Sequence, residues 1–141
     1  MSAHVHHANI QVSDAQASLS FYRQLGLDLL GCLRLDPVVL YYVGRPGASG
    51  VLELAANPGL ESRQTGSGHL ALWVDDLDAL LQDLAGSGIE PERPPFRPGD
   101  RQDLRVCFVV DPDGVRVELI DGAFAVPQDE LPDGVSWSRA V

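Results

Sequence analysis

Set against itself at a spacing of 62 residues, the chain repeats its alternation of apolar and polar positions. His7-Ala-Asn-Ile-Gln-Val12 falls on His69-Leu-Ala-Leu-Trp-Val74, so Ile10 meets Leu72, Val12 meets Val74 and Asp14 meets Asp76. The same spacing carries Leu19 onto Leu81 and Gly26 onto Gly88. Self-similarity at a fixed period marks a duplicated supersecondary unit. Each half reads strand, acidic turn, helix, glycine stop, strands.

In the first half, Ser13 or Asp14 is placed to cap a helix running to about Leu25, with Gly26 as its left-handed stop. In the second, Asp75 or Asp76 precedes Leu77, Leu80, Leu81 and Leu84, an i, i+3, i+4, i+7 apolar stripe ended by Gly86 and Gly88. Strands are expected over about 27–35, 38–43 and 50–55, then a weak one near 91–97, followed by 105–110 and 115–120. Asp111-Pro112-Asp113-Gly114 fits a type I turn with a glycine at positive φ, joining two antiparallel strands. Four prolines between Pro91 and Gly99 predict an irregular edge strand and loop. The expected fold is α+β: two tandem βαβββ modules (about 5–56 and 67–121) in one domain over residues 1–121. Residues 122–141 read as an arm or lid, with Trp137 as its anchor.

Strand side chains alternate between faces. Ala8, Ile10 and Val12 share one face of the first strand, and His7, Asn9 and Gln11 the other. Leu70, Leu72 and Val74 likewise oppose His69, Ala71 and Trp73. Leu52 and Leu54 oppose Val51, Glu53 and Ala55, while Val117 and Leu119 oppose Arg116, Glu118 and Ile120. The apolar faces belong on the helices, and the second faces line a concavity or meet solvent. Those second faces carry two histidines at strand starts and two glutamates in the last strands of the modules. Any one of the four, taken alone, is an ordinary solvated residue, but independent surface residues have no reason to recur in register. Glutamate is also a poor β former. A shared divalent cation bound by His7, Glu53, His69 and Glu118 accounts for both facts and offsets the desolvation of two carboxylates. Tyr41 and Tyr42 lie on opposite faces, so at most one reaches this surface.

Composition narrows the partners. The 141 residues carry a formal charge of −10, which disfavours nucleic acid and acidic membranes. No apolar run is long enough to span a bilayer and the N-terminus lacks secretory character, so a cytoplasmic location is expected. Cys32 and Cys107 are expected as two buried thiols.

These motifs resemble the vicinal oxygen chelate superfamily, which includes glyoxalase I, extradiol dioxygenases and bleomycin resistance proteins. The likeness rests on His-Ala-Asn-Ile-Gln-Val-Ser-Asp, Ser-Phe-Tyr-Arg-Gln-Leu-Gly-Leu, Gly-His-Leu-Ala-Leu-Trp-Val-Asp-Asp, and Phe-Val-Val-Asp-Pro-Asp-Gly leading into Val-Glu-Leu-Ile. It implies a cupped, partly open eight-stranded barrel and the metal ligands His7, Glu53, His69 and Glu118. His4 and His6 compete for the first place, but their parity puts them on the helix side. A carboxylate at Glu53 points within the family toward glyoxalase I-like isomerases, epimerases and lyases. Glu53-Leu-Ala-Ala-Asn57 resembles a stretch of that enzyme in which Asn57 would meet a peptide-like thiol. Where that enzyme has an arginine for the glutathione carboxylate this chain has Gln11, a departure that counts against glutathione.

The implied cofactor is one divalent ion (Ni, Co, Mn, Fe or Zn), chelated by a small hydroxyketone or hemithioacetal substrate. Glu53 and Glu118 are the candidate proton carriers, in a shift next to the substrate carbonyl. Asn9, Gln11, Asn57, Trp73 and Arg116 are candidates for substrate contact. The family also implies a homodimer, with the ligands drawn from one chain or from two. Two alternatives share the fold: an Fe(II) ring-cleaving or related dioxygenase, and a drug-binding resistance protein.

Overall fold

Both helices begin and end in the way the repeat requires. In a computed structural model that describes residues 6–47, 50–59, 69–123 and 132–133, helix α1 spans Ala15–Gln24 and helix α2 spans Leu77–Gly86. Asp14 caps the first, its side chain accepting from the Ala17 amide at 3.0 Å, and Asp76 caps the second through Ala79 at the same distance. Each helix closes with a six-to-one backbone bond, Leu27 to Tyr22 at 3.1 Å and Ile89 to Leu84 at 2.9 Å. The intervening Gly26 and Gly88 sit at φ 94° and 78°, a region that L side chains avoid.

Among the described residues, seven strands form two sheets. The first joins β1 (His7–Val12), β2 (Asp28–Arg34), β3 (Val39–Gly44) and β4 (Val51–Ala56) in the order β1-β4-β3-β2. The second joins β5 (His69–Trp73), β6 (Leu104–Val110) and β7 (Arg116–Gly122) in the order β5-β7-β6. In each, the first strand pairs parallel with the last, and the remaining pairs are antiparallel. The expected eighth strand is reduced to a single bridge between Phe96 and Val106. Pro94, Pro95 and Pro98 around it have no N–H to extend a ladder. The described strands form sheets of four and three in an α+β fold without a closed barrel, and the eighth strand of the expected partly open barrel is the one reduced to a bridge. No described helix is long and apolar enough to cross a membrane.

One apolar core unites the modules. Ile10, Val12 and Leu54 from the first sheet and Val109, Val117 and Leu119 from the second are buried with Phe21, Tyr22, Leu77 and Leu84 of the helices. Both sheets therefore turn their helix-facing sides toward a common centre. A buried polar seam reinforces the join. Asp113, in the β6–β7 turn, accepts from the Ser13 amide (3.1 Å), the Ser13 hydroxyl (2.6 Å) and the Ser18 hydroxyl (3.4 Å). Beside it the Tyr22 hydroxyl donates to Asp111 at 2.9 Å. Asp111 also accepts the Asp113 and Val115 amides, and Gly114 at φ 88° completes the expected turn. Burial raises the Asp111 carboxyl above its ordinary range even so.

Two expectations about burial change. Cys107 is buried, but Cys32 is exposed, because it lies on the outermost strand β2, every residue of which is exposed. Ile120, expected on an open face, is buried with Leu104 and Val106 beneath Phe96. Trp137 and the rest of the expected C-terminal arm, apart from residues 122–123 and 132–133, lie outside the described residues, as does His4.

Candidate metal and substrate site

Strand register brings each glutamate to its histidine. The β1–β4 pairing sets His7 opposite Val51 and Asn9 opposite Glu53, and the β5–β7 pairing sets His69 opposite Arg116 and Ala71 opposite Glu118. In both modules the histidine thus lies two residues before the position facing the carboxylate, on the same face. His7 Nε2 stands 3.6 Å from Glu53 Oε2, and His69 Nε2 stands 3.0 Å from Glu118 Oε2. The carboxylates are mostly shielded, at 12% and 14% side-chain exposure, while the imidazoles are open at 38% and 40%.

Each pair sits on the sheet face opposite the shared core. Among the described residues no three His, Cys, Asp or Glu side chains come together as a metal-binding group. The chain therefore holds two half-sites, His7 with Glu53 and His69 with Glu118, and does not bring all four onto one centre by itself.

The surroundings of the half-sites differ. In the first, Asn9 Nδ2 donates to Glu53 Oε1 at 2.8 Å, and Gln11 Nε2 donates to Asn9 Oδ1 at 2.9 Å. The Tyr42 phenol, opposite Glu53 on β3, faces the same carboxylate as a second donor group. The Asn9 bond first and the Tyr42 bond second hold the Glu53 carboxyl below the usual glutamate range, and the same contact raises the Tyr42 phenol. His6 Nδ1 lies 2.9 Å from His7 Nδ1, so it touches the back of the His7 ring. That leaves Nε2 of His7 toward Glu53.

In the second half-site, Glu118 has Ala71 and Phe108 as its cross-strand neighbours. The His69 ring meets Phe108 edge to face at 5.4 Å. The Arg116 guanidinium lies over the Phe108 ring, 4.3 Å from its centroid, and grips Glu92 with two bonds of 2.8 Å. Glu92 keeps a lowered carboxyl through this contact.

The remaining expected contact residues are scattered. Asn57 turns its side-chain oxygen to the Gly59 amide at 3.0 Å, serving a turn after β4. Trp73 is 69% exposed. It lines a groove of about 780 Å³ between the modules, which reaches the first half-site only through His7. Sequence alone put at most one of Tyr41 and Tyr42 on this face. The β3–β4 register selects Tyr42 and packs Tyr41 on the core. Glu92 was missed because it lies in the proline-rich stretch, where no periodicity points to a partner.

With this geometry in view, comparison with known proteins is informative. The sequence model of the Glyoxalase/Bleomycin resistance protein/Dioxygenase superfamily matches residues 4–119. A lactoylglutathione lyase of Salmonella typhimurium is 33% identical over 125 residues, covering 82% of this chain and 90% of that protein. The trypanothione-dependent glyoxalase I of Leishmania major has a similar structure, with a TM-score of 0.71, 30% identity, and coverage of 85% of this chain and 87% of that one. TnmS3, an antibiotic binding protein from Streptomyces sp. CB03234, is also similar: TM-score 0.65, 27% identity, 86% and 98% coverage.

Proposed function

Because the chain belongs to the glyoxalase/bleomycin resistance protein/dioxygenase superfamily and is a glyoxalase I-like enzyme, we propose that it is a divalent-metal-dependent lyase or isomerase whose centre is completed by a second copy of the chain. The observation that carries this reading is the pair of register-matched His–Glu half-sites on outward sheet faces. Each supplies one imidazole and one carboxylate. Module one of one chain facing module two of its partner would gather two nitrogens and two carboxylate groups, a donor set suited to Ni²⁺, Co²⁺, Mn²⁺, Fe²⁺ or Zn²⁺. Two such centres would form per symmetric dimer.

A divalent ion held there would polarise a substrate carbonyl and acidify the neighbouring C–H. The chain's own groups then move the proton: a glutamate carboxylate takes it from carbon, and a carboxyl returns it at the adjacent carbon. The substrate class that fits is a small molecule with adjacent oxygens, a hydroxyketone or the hemithioacetal suggested by the lactoylglutathione lyases. The likeness to TnmS3 raises a purely sequestering role, but drug capture gives no reason for two matched His–Glu pairs. An Fe²⁺ oxygenase would consume oxygen and tolerate loss of Glu53.

Mixed dimers test the proposal. One chain carries His7→Ala with Glu53→Gln, and the other His69→Ala with Glu118→Gln. Alone, neither should bind Co²⁺ stoichiometrically or catalyse solvent deuterium incorporation into a methylglyoxal hemithioacetal. Refolded together in equal amounts, half the dimers are mixed and each has one intact centre of two, so about a quarter of wild-type sites should return. No recovery from the mixture would sink the shared centre. Full Co²⁺ binding by either parent would show the donors to be wrong.

A further inference from the structure

Glu53 and Glu118 hold equivalent places in the two modules, yet their cross-strand neighbours differ in chemistry. Across the sheet from Glu53 stand Asn9 on β1, which donates to its carboxylate at 2.8 Å, and Tyr42 on β3, whose phenol faces it as a second donor group. Asn9 is oriented in turn, because Gln11 Nε2 donates to its side-chain oxygen at 2.9 Å, leaving the amide nitrogen for Glu53. The places corresponding to Asn9 and Tyr42 around Glu118 are filled by Ala71 and Phe108, whose side chains have nothing to donate.

We propose that Asn9, Gln11 and Tyr42 are positioning residues, a hydrogen-bonded frame that fixes the Glu53 carboxylate in the orientation from which it ligates the cation. The inference rests on the metal-centre reading above and gives these side chains a different task from substrate contact. Binding a metal through a free glutamate requires its torsions to be frozen at the moment of ligation. A carboxylate already held by two donors has met that cost on folding. Groups that orient a ligating residue typically contribute 10–100-fold to metal affinity. The frame is built by register, since Asn9, Glu53 and Tyr42 lie side by side on three adjacent strands and Gln11 follows two residues along β1.

Two measurements on the full chain test this. In metal-free protein labelled with [5-¹³C]glutamate, the Glu53 carboxyl signal is identified by its absence in Glu53→Gln and that of Glu118 by its absence in Glu118→Gln. Tyr42→Phe and Asn9→Ala should each move the Glu53 signal and leave the Glu118 signal in place. In Co²⁺ titrations followed by absorption, each of these two variants should raise the dissociation constant about tenfold. Gln11→Ala, acting one bond further away, should raise it by about threefold. Gln16→Ala, on the exposed side of α1 away from both pairs, should leave it unchanged, and thermal unfolding should not separate the variants.

An unmoved Glu53 signal in both variants, or wild-type Co²⁺ affinity in both, overturns the frame while leaving the metal centre standing. A wild-type chain that takes up no Co²⁺ overturns the metal-centre reading and with it the purpose assigned to the frame. The carboxyl signals would then still report whether the bonds exist.

Discussion

The two modules present the same His–Glu pair at matching register, but they surround the carboxylate with opposite chemistry. Module one sets an amide and a phenol against Glu53. Module two sets a methyl group and an aromatic ring beside Glu118, with an arginine spent on Glu92 above that ring. Duplication has thus preserved the backbone geometry that brings histidine to glutamate, while the cross-strand neighbours have diverged. A residue's place in a sheet is fixed by register, but its charge state and freedom are fixed by the side chains on either side.

The largest effect should come from the carboxylates themselves. Glu118→Gln and Glu53→Gln should each lower solvent deuterium exchange into the substrate by about 10²-fold or more, the scale on which a positioned proton carrier acts. Nuclear magnetic resonance of the product measures it. Equal activity in either variant would remove that glutamate from the chemistry.

Next comes the seam that joins the halves. Asp113→Ala strips the acceptor from the Ser13 amide and from two hydroxyls in a buried setting, which should cost about 2–3 kcal/mol in urea unfolding. The isolated pairs should keep their geometry, so a loss of Co²⁺ affinity larger than the loss of stability would tie the half-sites to the seam. The third prediction erases the contrast. Ala71→Asn with Phe108→Tyr gives Glu118 the neighbours that Glu53 has, and should tighten Co²⁺ binding about tenfold.

The smallest effect is in pH. Burial raises the folded Asp111 carboxyl, so its protonated form is favoured by folding. That contribution is complete below the unfolded aspartate value of about 4 and is lost as pH rises through the elevated folded value. Asp111→Asn retains an oxygen for the two amides and removes the titration. Its stability relative to wild type should therefore improve as pH rises above the unfolded aspartate value of about 4, measured by denaturant unfolding. A parallel pair of curves would mean that Asp111 carries no such linkage.

Local chemistry made much of this legible before any coordinates. The aspartate caps, the left-handed glycines and the Asp-Pro-Asp-Gly turn act within four or five residues, and alternation alone put His7 on the face of Asn9 and His69 on the face of Trp73. What stayed hidden depends on register between distant segments. The edge position of β2, whose residues are all exposed, decides that Cys32 is exposed. The pairing of β3 with β4 decides that Tyr42, not Tyr41, reaches Glu53. The clasp of Glu92 on Arg116 arises from a proline-interrupted stretch with no period to read. Parity put both His–Glu pairs on the faces away from the helices, but it could not say that the pairs lie apart rather than on one centre, since that follows from how the two sheets share a core.

Parallel pairing of the first strand with the fourth also governs how the protein is made. During synthesis Asn9 emerges 44 residues ahead of Glu53, and the two meet only once the intervening helix and two strands have been laid down between them. A nascent chain arrested before residue 53 would display the histidine and its neighbouring amides with no acid to engage. The first pair can therefore assemble only after β4 has been synthesised and has taken its place between β1 and β3.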